Sequence, residues 1–148
     1  MRIAPDIVAL ATAGLIWIVP RFGGDVAVPA LARTIASVLL GATGIGLVVE
    51  ARARLAKRGT TWLPLTAHAP RALVADGVYR VSRNPMYLGT WCLLAAEAAW
   101  LGNMLAVATS FVFVAFIDRT QIPREEATLH AAFGAEYERY RRSVRRWI

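Results

Sequence analysis

A short polar segment at residues 77–89, GVYRVSRNPMYLG, carries the side chains best suited to bind a charged ligand. Arg80 and Arg83 supply positive charge, and two tyrosines supply aromatic rings with hydroxyl groups. The Asn84-Pro85 step predicts a helix start, because Asn is a favoured N-cap and Pro fits the first helical position. Since a helix N-terminus attracts anions, the segment predicts a site for an anionic group beside an aromatic contact. An ordinary interfacial anchor of arginines and tyrosines is the alternative.

A second polar cluster, Glu125 and Glu126, opens the basic tail of the chain. If residues 123–147 form one continuous helix, its apolar and basic side chains separate onto two faces, as in a helix lying on a membrane surface. The apolar face would hold Leu129, Phe133, Tyr137, Tyr140, Val144 and Trp147, and the basic face Arg139, Arg141, Arg142, Arg145 and Arg146. Glu126 falls among the apolar side chains, which makes it a functional candidate. The alternative is a salt bridge from Glu126 to Arg119 or Arg124.

The composition indicates a membrane protein. Of the 148 residues, 57% are hydrophobic, and the mean hydropathy is +0.46. A net charge of +7 could indicate nucleic-acid binding, but basic residues that flank apolar runs are more typical of contact with anionic headgroups. We therefore expect membrane lipid, and no nucleic acid, as a partner. The single cysteine, Cys92, and the isolated His68 predict neither a disulfide framework nor a metal site.

The apolar runs predict an all-α, polytopic membrane protein that forms a single domain over residues 1–148. Four spans are predicted at about 5–22, 30–50, 84–101 and 104–120, followed by a tail helix over 123–147. The loop 51–83 and the residues from Asp118 onward each hold seven Lys and Arg residues. The positive-inside rule then predicts a cell-membrane protein with this loop, the tail and both termini in the cytoplasm. A soluble helical bundle is the alternative, because short spans can also be core helices.

Two features of the spans predict how they pack. Small residues in the second span, Gly41, Thr43 and Gly44, indicate a close helix–helix contact rather than a nucleotide-binding loop, since no βαβ pattern surrounds them. Gly102-Asn103 predicts the turn of a tight hairpin between the third and fourth spans. Glu97 lies near the far end of the third span, where we expect it to snorkel or to form a hydrogen bond between helices.

The two polar segments together resemble integral-membrane methyltransferases that include isoprenylcysteine carboxyl methyltransferase and phosphatidylethanolamine N-methyltransferase. That family's pattern is approximately G-x-Y-x-x-x-R-(H/N)-P-x-Y-x-G, and after one hairpin E-E-x-x-L-x-x-x-F-G-x-x-Y-x-x-Y. This chain has every fixed position: Gly77, Tyr79, Arg83, Asn84, Pro85, Tyr87, Gly89, Glu125, Glu126, Leu129, Phe133, Gly134, Tyr137 and Tyr140. The resemblance covers about the C-terminal half of the chain.

The resemblance implies that S-adenosylmethionine binds in a cytoplasm-facing pocket and that its methyl group passes to a lipophilic acceptor. The implied cofactor-binding residues are Tyr79, Arg83, Asn84, Pro85, Tyr87 and Leu88, with Glu125 and Glu126 closing the pocket. Glu126 and Arg119 are the candidate catalytic residues, Glu126 as a base for an amine acceptor. Many members have His at the position of Asn84, and Asn cannot act as a base near pH 7. The role of each glutamate is left open.

Several interpretations compete with this one. Membrane reductases of the sterol type have a similar C-terminal region and use NADPH. A non-enzymatic membrane protein could instead gather anionic lipid with its polybasic tail. The acceptor's functional group (carboxylate, amine or thiol) and the oligomeric state stay open at the level of sequence.

Overall fold

A computed structural model describes residues 3–59 and 71–148. These residues form α-helices, two 3-10 turns (Val19–Phe22 and Gly77–Arg80) and one isolated β-bridge between Asp25 and Asn103, without any β-strand. The helices are α1 (Pro5–Ile18), α2 (Ala30–Lys57), α3 (Pro85–Leu101), α4 (Met104–Thr120), α5 (Ile122–Phe133) and α6 (Ala135–Ser143). The all-α prediction is confirmed for these residues, whereas part of the predicted loop, with His68, lies outside them.

Within residues 3–59 and 71–148, three helical segments are long and apolar enough to cross a membrane: Pro5–Phe22, Ala30–Lys57 and Met104–Phe133. The second segment continues well beyond the predicted end at residue 50, and the third includes α5. Helix α3, the counterpart of the remaining predicted span, has 17 residues and is about 25 Å long at the standard helical rise. These three segments support the prediction that the chain is a membrane protein.

Helices α2 and α3 touch backbone to backbone at Gly44 and Gly89. A methyl group added to Gly44 would lie 2.7 Å from the carbonyl oxygen of Gly89, and one added to Gly89 would lie 2.8 Å from the carbonyl oxygen of Gly44. Only glycine allows such an approach without displacement. The predicted close contact is thus confirmed at Gly44, whereas at Gly41 the same methyl group would meet Ala96 at an ordinary 3.9 Å.

The predicted hairpin between α3 and α4 is also confirmed. Gly102 has a left-handed backbone with φ +64°, and Asn103 caps α4 by accepting a 3.0 Å hydrogen bond from the backbone N–H of Ala106. The Asn103 amide donates to the carbonyl oxygen of Gly23 at 2.8 Å, which ties the turn to the segment after α1. At the same end of α3, the indole N–H of Trp17 donates to Glu97, in agreement with the expected interhelical hydrogen bond.

The prediction of one tail helix over 123–147 is wrong. The helix breaks at Gly134, whose φ of +48° is left-handed, and the following helix α6 ends at Ser143. Residues 144–148, here called the C-terminal segment, are not helical. The two-faced arrangement derived from a continuous helix therefore fails beyond Gly134, because the break resets the direction of every later side chain.

Candidate functional site

Asn84 and Pro85 begin α3 as the sequence predicts, but the Asn84 side chain has a different partner. Its backbone carbonyl oxygen accepts the first helical bond from Leu88 at 3.0 Å, and Pro85 occupies the first turn. The side chain makes no capping bond; its amide nitrogen Nδ2 donates instead to the carbonyl oxygen of Arg146 at 3.0 Å. Asn84 is therefore the N-cap by position, while its amide links α3 to the C-terminal segment.

The C-terminal segment lies across the first polar motif. The hydroxyl group of Ser82, which is 1% exposed, donates to the carbonyl oxygen of Arg146 at 3.2 Å. The backbone N–H of Arg83 donates to the carbonyl oxygen of Arg145 at 3.0 Å. Together with the Asn84 bond, these contacts give three consecutive motif residues partners on the C-terminal segment.

Four charged side chains alternate in sign through the site. Nη2 of Arg83 lies 2.8 Å from Oε1 of Glu126, and Nη2 of Arg146 lies 2.7 Å from Oε2 of the same carboxylate. On its other side, Nη1 of Arg146 lies 3.1 Å from Oδ1 of Asp118. We call Arg83, Glu126, Arg146 and Asp118 the charge network. The hydrogen bond with Glu126 raises the pKa of Arg146, so its guanidinium stays charged.

Glu125, the neighbour of Glu126, has uncharged partners. Its Oε1 accepts a 2.5 Å hydrogen bond from the hydroxyl group of Tyr87 and a 2.8 Å bond from the side-chain amide of Gln121. Both donors meet the same oxygen. The two adjacent glutamates therefore lie in different electrostatic surroundings, a difference that the sequence alone does not reveal.

Buried tyrosines join α6 to the 3-10 turn that precedes the motif. The hydroxyl group of Tyr140 donates to the backbone carbonyl oxygen of Tyr79 at 2.7 Å. Burial raises the pKa of both phenols, so both stay neutral and able to donate across the physiological range. Desolvation, followed by the charge of Glu126, also raises the pKa of Tyr137. Leu88 is 7% exposed and is buried behind the motif in α3.

One buried donor of the site lacks a partner. Nε of Arg83 is shielded from solvent and makes no hydrogen bond to the described residues, although the side chain is only 10% exposed. A buried N–H of a charged group normally has an acceptor, because leaving it unpaired costs free energy. This atom therefore marks a position where an anionic oxygen would be stabilised.

An open groove of about 350 Å³ adjoins Glu126 between α5 and α6. Its lining residues are Pro123, Glu126, Ala127, His130, Ala131, Tyr137 and Arg141. Within residues 3–59 and 71–148, no three His, Cys, Asp or Glu side chains are grouped in a way that could hold a metal ion.

The structure brings most of the predicted site residues together, with Arg119 as the exception. Arg119 is exposed, and its Nη1 donates at 3.3 Å to the carbonyl oxygen of Ala115 in its own helix. The alternative prediction that Glu126 pairs with Arg119 or Arg124 is wrong, because its ion-pair partners are Arg83 and Arg146. A helix places neighbours in sequence on its own surface, whereas both actual partners come from other segments.

Sequence reasoning missed four residues of the site: Ser82, Asp118, Arg146 and Trp147. Ser82 lies inside the first motif but at a variable position of the family pattern. A continuous tail helix would place Arg146 on a solvent-facing surface, which is why its role is not visible in the sequence. The useful signal is Gly134, since a glycine within an amphipathic pattern can end the helix and redirect the residues after it.

Comparison with known proteins agrees with this geometry. The phospholipid methyltransferase family model matches residues 32–136, which include the first motif, the hairpin and the second motif as far as Gly134. The chain therefore belongs to the phospholipid methyltransferase family, and it is a membrane protein of a methyltransferase class.

Individual relatives match smaller parts of this chain. An uncharacterized protein of Haemophilus influenzae is 46% identical over 63 residues, which are 43% of this chain and all of that protein. The protein-S-isoprenylcysteine O-methyltransferase of Schizosaccharomyces pombe is 37% identical over 73 residues, or 49% of this chain and 30% of the relative. A probable protein-S-isoprenylcysteine O-methyltransferase of Oryza sativa subsp. indica is 38% identical over 73 residues, 49% of this chain and 38% of the relative. The matches thus span about a third of each of these two relatives.

Proposed function

We propose that this protein transfers the methyl group of S-adenosylmethionine to a lipophilic acceptor at the cytoplasmic face of the membrane. The observation that carries the proposal is the meeting of the two motifs. Arg83 binds Glu126 at 2.8 Å and Tyr87 binds Glu125 at 2.5 Å, across 43 and 38 residues of sequence. Because the chain belongs to a methyltransferase family, we infer that methyl transfer takes place where the two motifs meet.

The residues at this point fit the polar groups of the cofactor. The unpaired Nε–H of Arg83 suits the cofactor's carboxylate, for which arginine is a strong charged donor. Glu125 suits an ammonium or a ribose hydroxyl group, because its partners Tyr87 and Gln121 are neutral and both meet Oε1. Glu126 has already placed both carboxylate oxygens against guanidinium groups. We therefore assign Glu125, rather than Glu126, to direct contact with the cofactor.

Bound S-adenosylmethionine would supply an electrophilic sulfonium methyl group to an acceptor nucleophile and would leave as a neutral thioether. The protein's task is to hold donor and acceptor in line and to exclude water. A carboxylate or thiolate acceptor needs no base. An ammonium acceptor needs one, and Glu125 suits this better than Glu126, because both carboxylate oxygens of Glu126 are already paired with guanidinium groups. A catalytic role for Arg119 stays a prediction without a supporting contact.

We further propose that the chain crosses the membrane four times, with both termini in the cytoplasm. Helix α3 is the span that is added to the three long apolar segments. Helix α3 packs on α2 through Gly44 and Gly89 and shares a buried core with α1 and α4, so it lies within the bundle. Impermeant maleimide labelling of single cysteines in a Cys92→Ala background tests this. Phe22→Cys, at an exposed residue of the proposed outer face, should react in intact cells. Arg142→Cys should react only after lysis.

The test of function is calorimetric binding of S-adenosylhomocysteine and S-adenosylmethionine to the detergent-purified protein. We expect Arg83→Ala and Glu125→Gln each to weaken binding by about tenfold or more. Arg142→Ala, which removes an exposed charge from the same tail, should leave binding unchanged. Folded protein that ignores both ligands and binds NADPH would overturn the proposal in favour of a reductase. Folded protein that binds none of them would favour a non-enzymatic role.

A further inference from the structure

We propose that Arg146, which lies outside both sequence motifs, is a positioning residue of the cofactor site and acts through Glu126. The inference rests on the proposed function, and it adds a residue that the family pattern does not contain. It also gives Glu126 a role different from that of Glu125.

The first step is the double contact of Arg146 with Glu126. Nη2 of Arg146 lies 2.7 Å from Oε2, and Nε lies 3.2 Å from Oε1. Arg83 shares that Oε1 at 2.8 Å. With Arg83 alone, the carboxylate could rotate about its single contact, whereas the fork of Arg146 fixes its plane. The Arg83 guanidinium, which carries the unpaired Nε–H, is held by that carboxylate and by a 3.2 Å hydrogen bond from its Nη1 to the carbonyl oxygen of Arg141.

The second step is that Arg146 is itself held on its other side. Its Nη1 lies 3.1 Å from Oδ1 of Asp118 at the end of α4, and the indole N–H of the adjacent Trp147 donates to the same oxygen at 3.0 Å. Arg146 is about one-third exposed and Glu126 17% exposed, so water competes only partly for these contacts. The guanidinium group of Arg146 thus links Asp118 in α4 to Glu126 in α5.

The third step is that the backbone of the same residue holds the first motif. The carbonyl oxygen of Arg146 accepts hydrogen bonds from the Ser82 hydroxyl group at 3.2 Å and from the Asn84 amide at 3.0 Å. One residue therefore contacts the first motif through its backbone and the Glu-Glu pair through its side chain. Replacing the side chain removes only the second of these links.

This separation makes the test possible, because Arg146→Ala should still fold. In that variant Glu126 keeps Arg83, Asp118 keeps Trp147, and the backbone bonds to Ser82 and Asn84 remain. Neither carboxylate is left without a partner. Arg146→Lys is the conservative variant: it keeps the charge but loses the fork that contacts both oxygens.

The experiment is a double-mutant cycle on equilibrium binding of S-adenosylhomocysteine, with melting temperatures measured on the same samples. We expect Arg146→Ala and Glu126→Gln each to raise the Kd by about tenfold, and the double variant to raise it by about tenfold rather than a hundredfold. Arg146→Lys should fall between wild type and Arg146→Ala. In a matched cycle, Arg142→Ala should have no effect either alone or with Glu126→Gln.

The outcomes separate the two proposals. If the wild-type protein binds and the losses of Arg146→Ala and Glu126→Gln multiply, Arg146 does not act through Glu126 and the inference is overturned alone. The same conclusion follows if Arg146→Ala binds like wild type. If folded wild-type protein does not bind the ligand at all, the proposed function fails together with the inference.

Discussion

The hydroxyl group of Tyr87 lies 2.5 Å from Oε1 of Glu125, although 38 residues separate the two in sequence. Tyr87 lies in the first turn of α3, and Glu125 lies in the first turn of α5. This bond places an acidic group beside the start of α3, and it makes Tyr87 a link between the two motifs rather than only an interfacial ring.

Removing that hydroxyl group should weaken cofactor binding without unfolding the protein. Tyr87→Phe keeps the ring but leaves Glu125, among the described residues, with Gln121 as its remaining hydrogen-bond donor. We expect the Kd of S-adenosylhomocysteine to rise by about threefold to tenfold, since a hydrogen bond to a charged group is lost. Calorimetry on the purified variant checks this. Binding equal to wild type would show that Glu125 needs no orientation by Tyr87.

Tyr140 should matter for stability. Tyr140→Phe removes the 2.7 Å bond to the carbonyl oxygen of Tyr79 and leaves a buried acceptor unpaired, which should cost about 1–3 kcal/mol. The measurement is the thermal midpoint in detergent. Tyr137→Phe is the matched control, because it removes a phenol hydroxyl group from the same helix and keeps the Tyr140 bond. A larger loss for Tyr137→Phe would contradict the assignment.

The contact of α2 with α3 predicts opposite effects for two glycines in one helix. Gly44→Ala would place a methyl group 2.7 Å from a backbone oxygen, and the forced shift should destabilise the protein by about 1–3 kcal/mol. A methyl group at Gly46 would meet nothing within 4 Å, so Gly46→Ala should be neutral or stabilise by up to about 1 kcal/mol. Thermal denaturation of both variants decides, and equal effects would exclude the close contact.

Asp76 should make stability depend on pH in the acidic range. A hydrogen bond from Arg54 at 2.8 Å holds the pKa of this carboxyl group below its usual value. A group with a lowered folded-state pKa stabilises the protein above its unfolded-state pKa, near about 4, and loses that effect as the pH falls through the folded-state pKa. Melting temperatures between pH 6 and pH 3 should therefore fall less for Asp76→Asn than for wild type. Parallel curves would refute the prediction.

The sequence predicted the elements better than it predicted the contacts between them. The α3 start at Asn84-Pro85 and the turn at Gly102-Asn103 were readable, because both depend on local backbone preferences. The partners of Glu126 were not readable, since both lie in other segments and their approach depends on how the helices pack. Helix periodicity predicted that the Arg146 side chain would face solvent. That prediction failed because Gly134, which has a left-handed backbone, ends the helix and interrupts its periodicity.

The crossing of the first motif by residues 144–148 also constrains how the chain is synthesised. Ser82 meets its acceptor at Arg146 only 64 residues later. At roughly 5–20 residues per second, that interval is about 3–13 seconds of translation. During it, the polar groups of Ser82, Arg83 and Asn84 must be satisfied by water or lipid headgroups. Because unpaired polar groups are costly in hydrocarbon, we expect these residues to stay in contact with water or headgroups until residues 144–148 have been made.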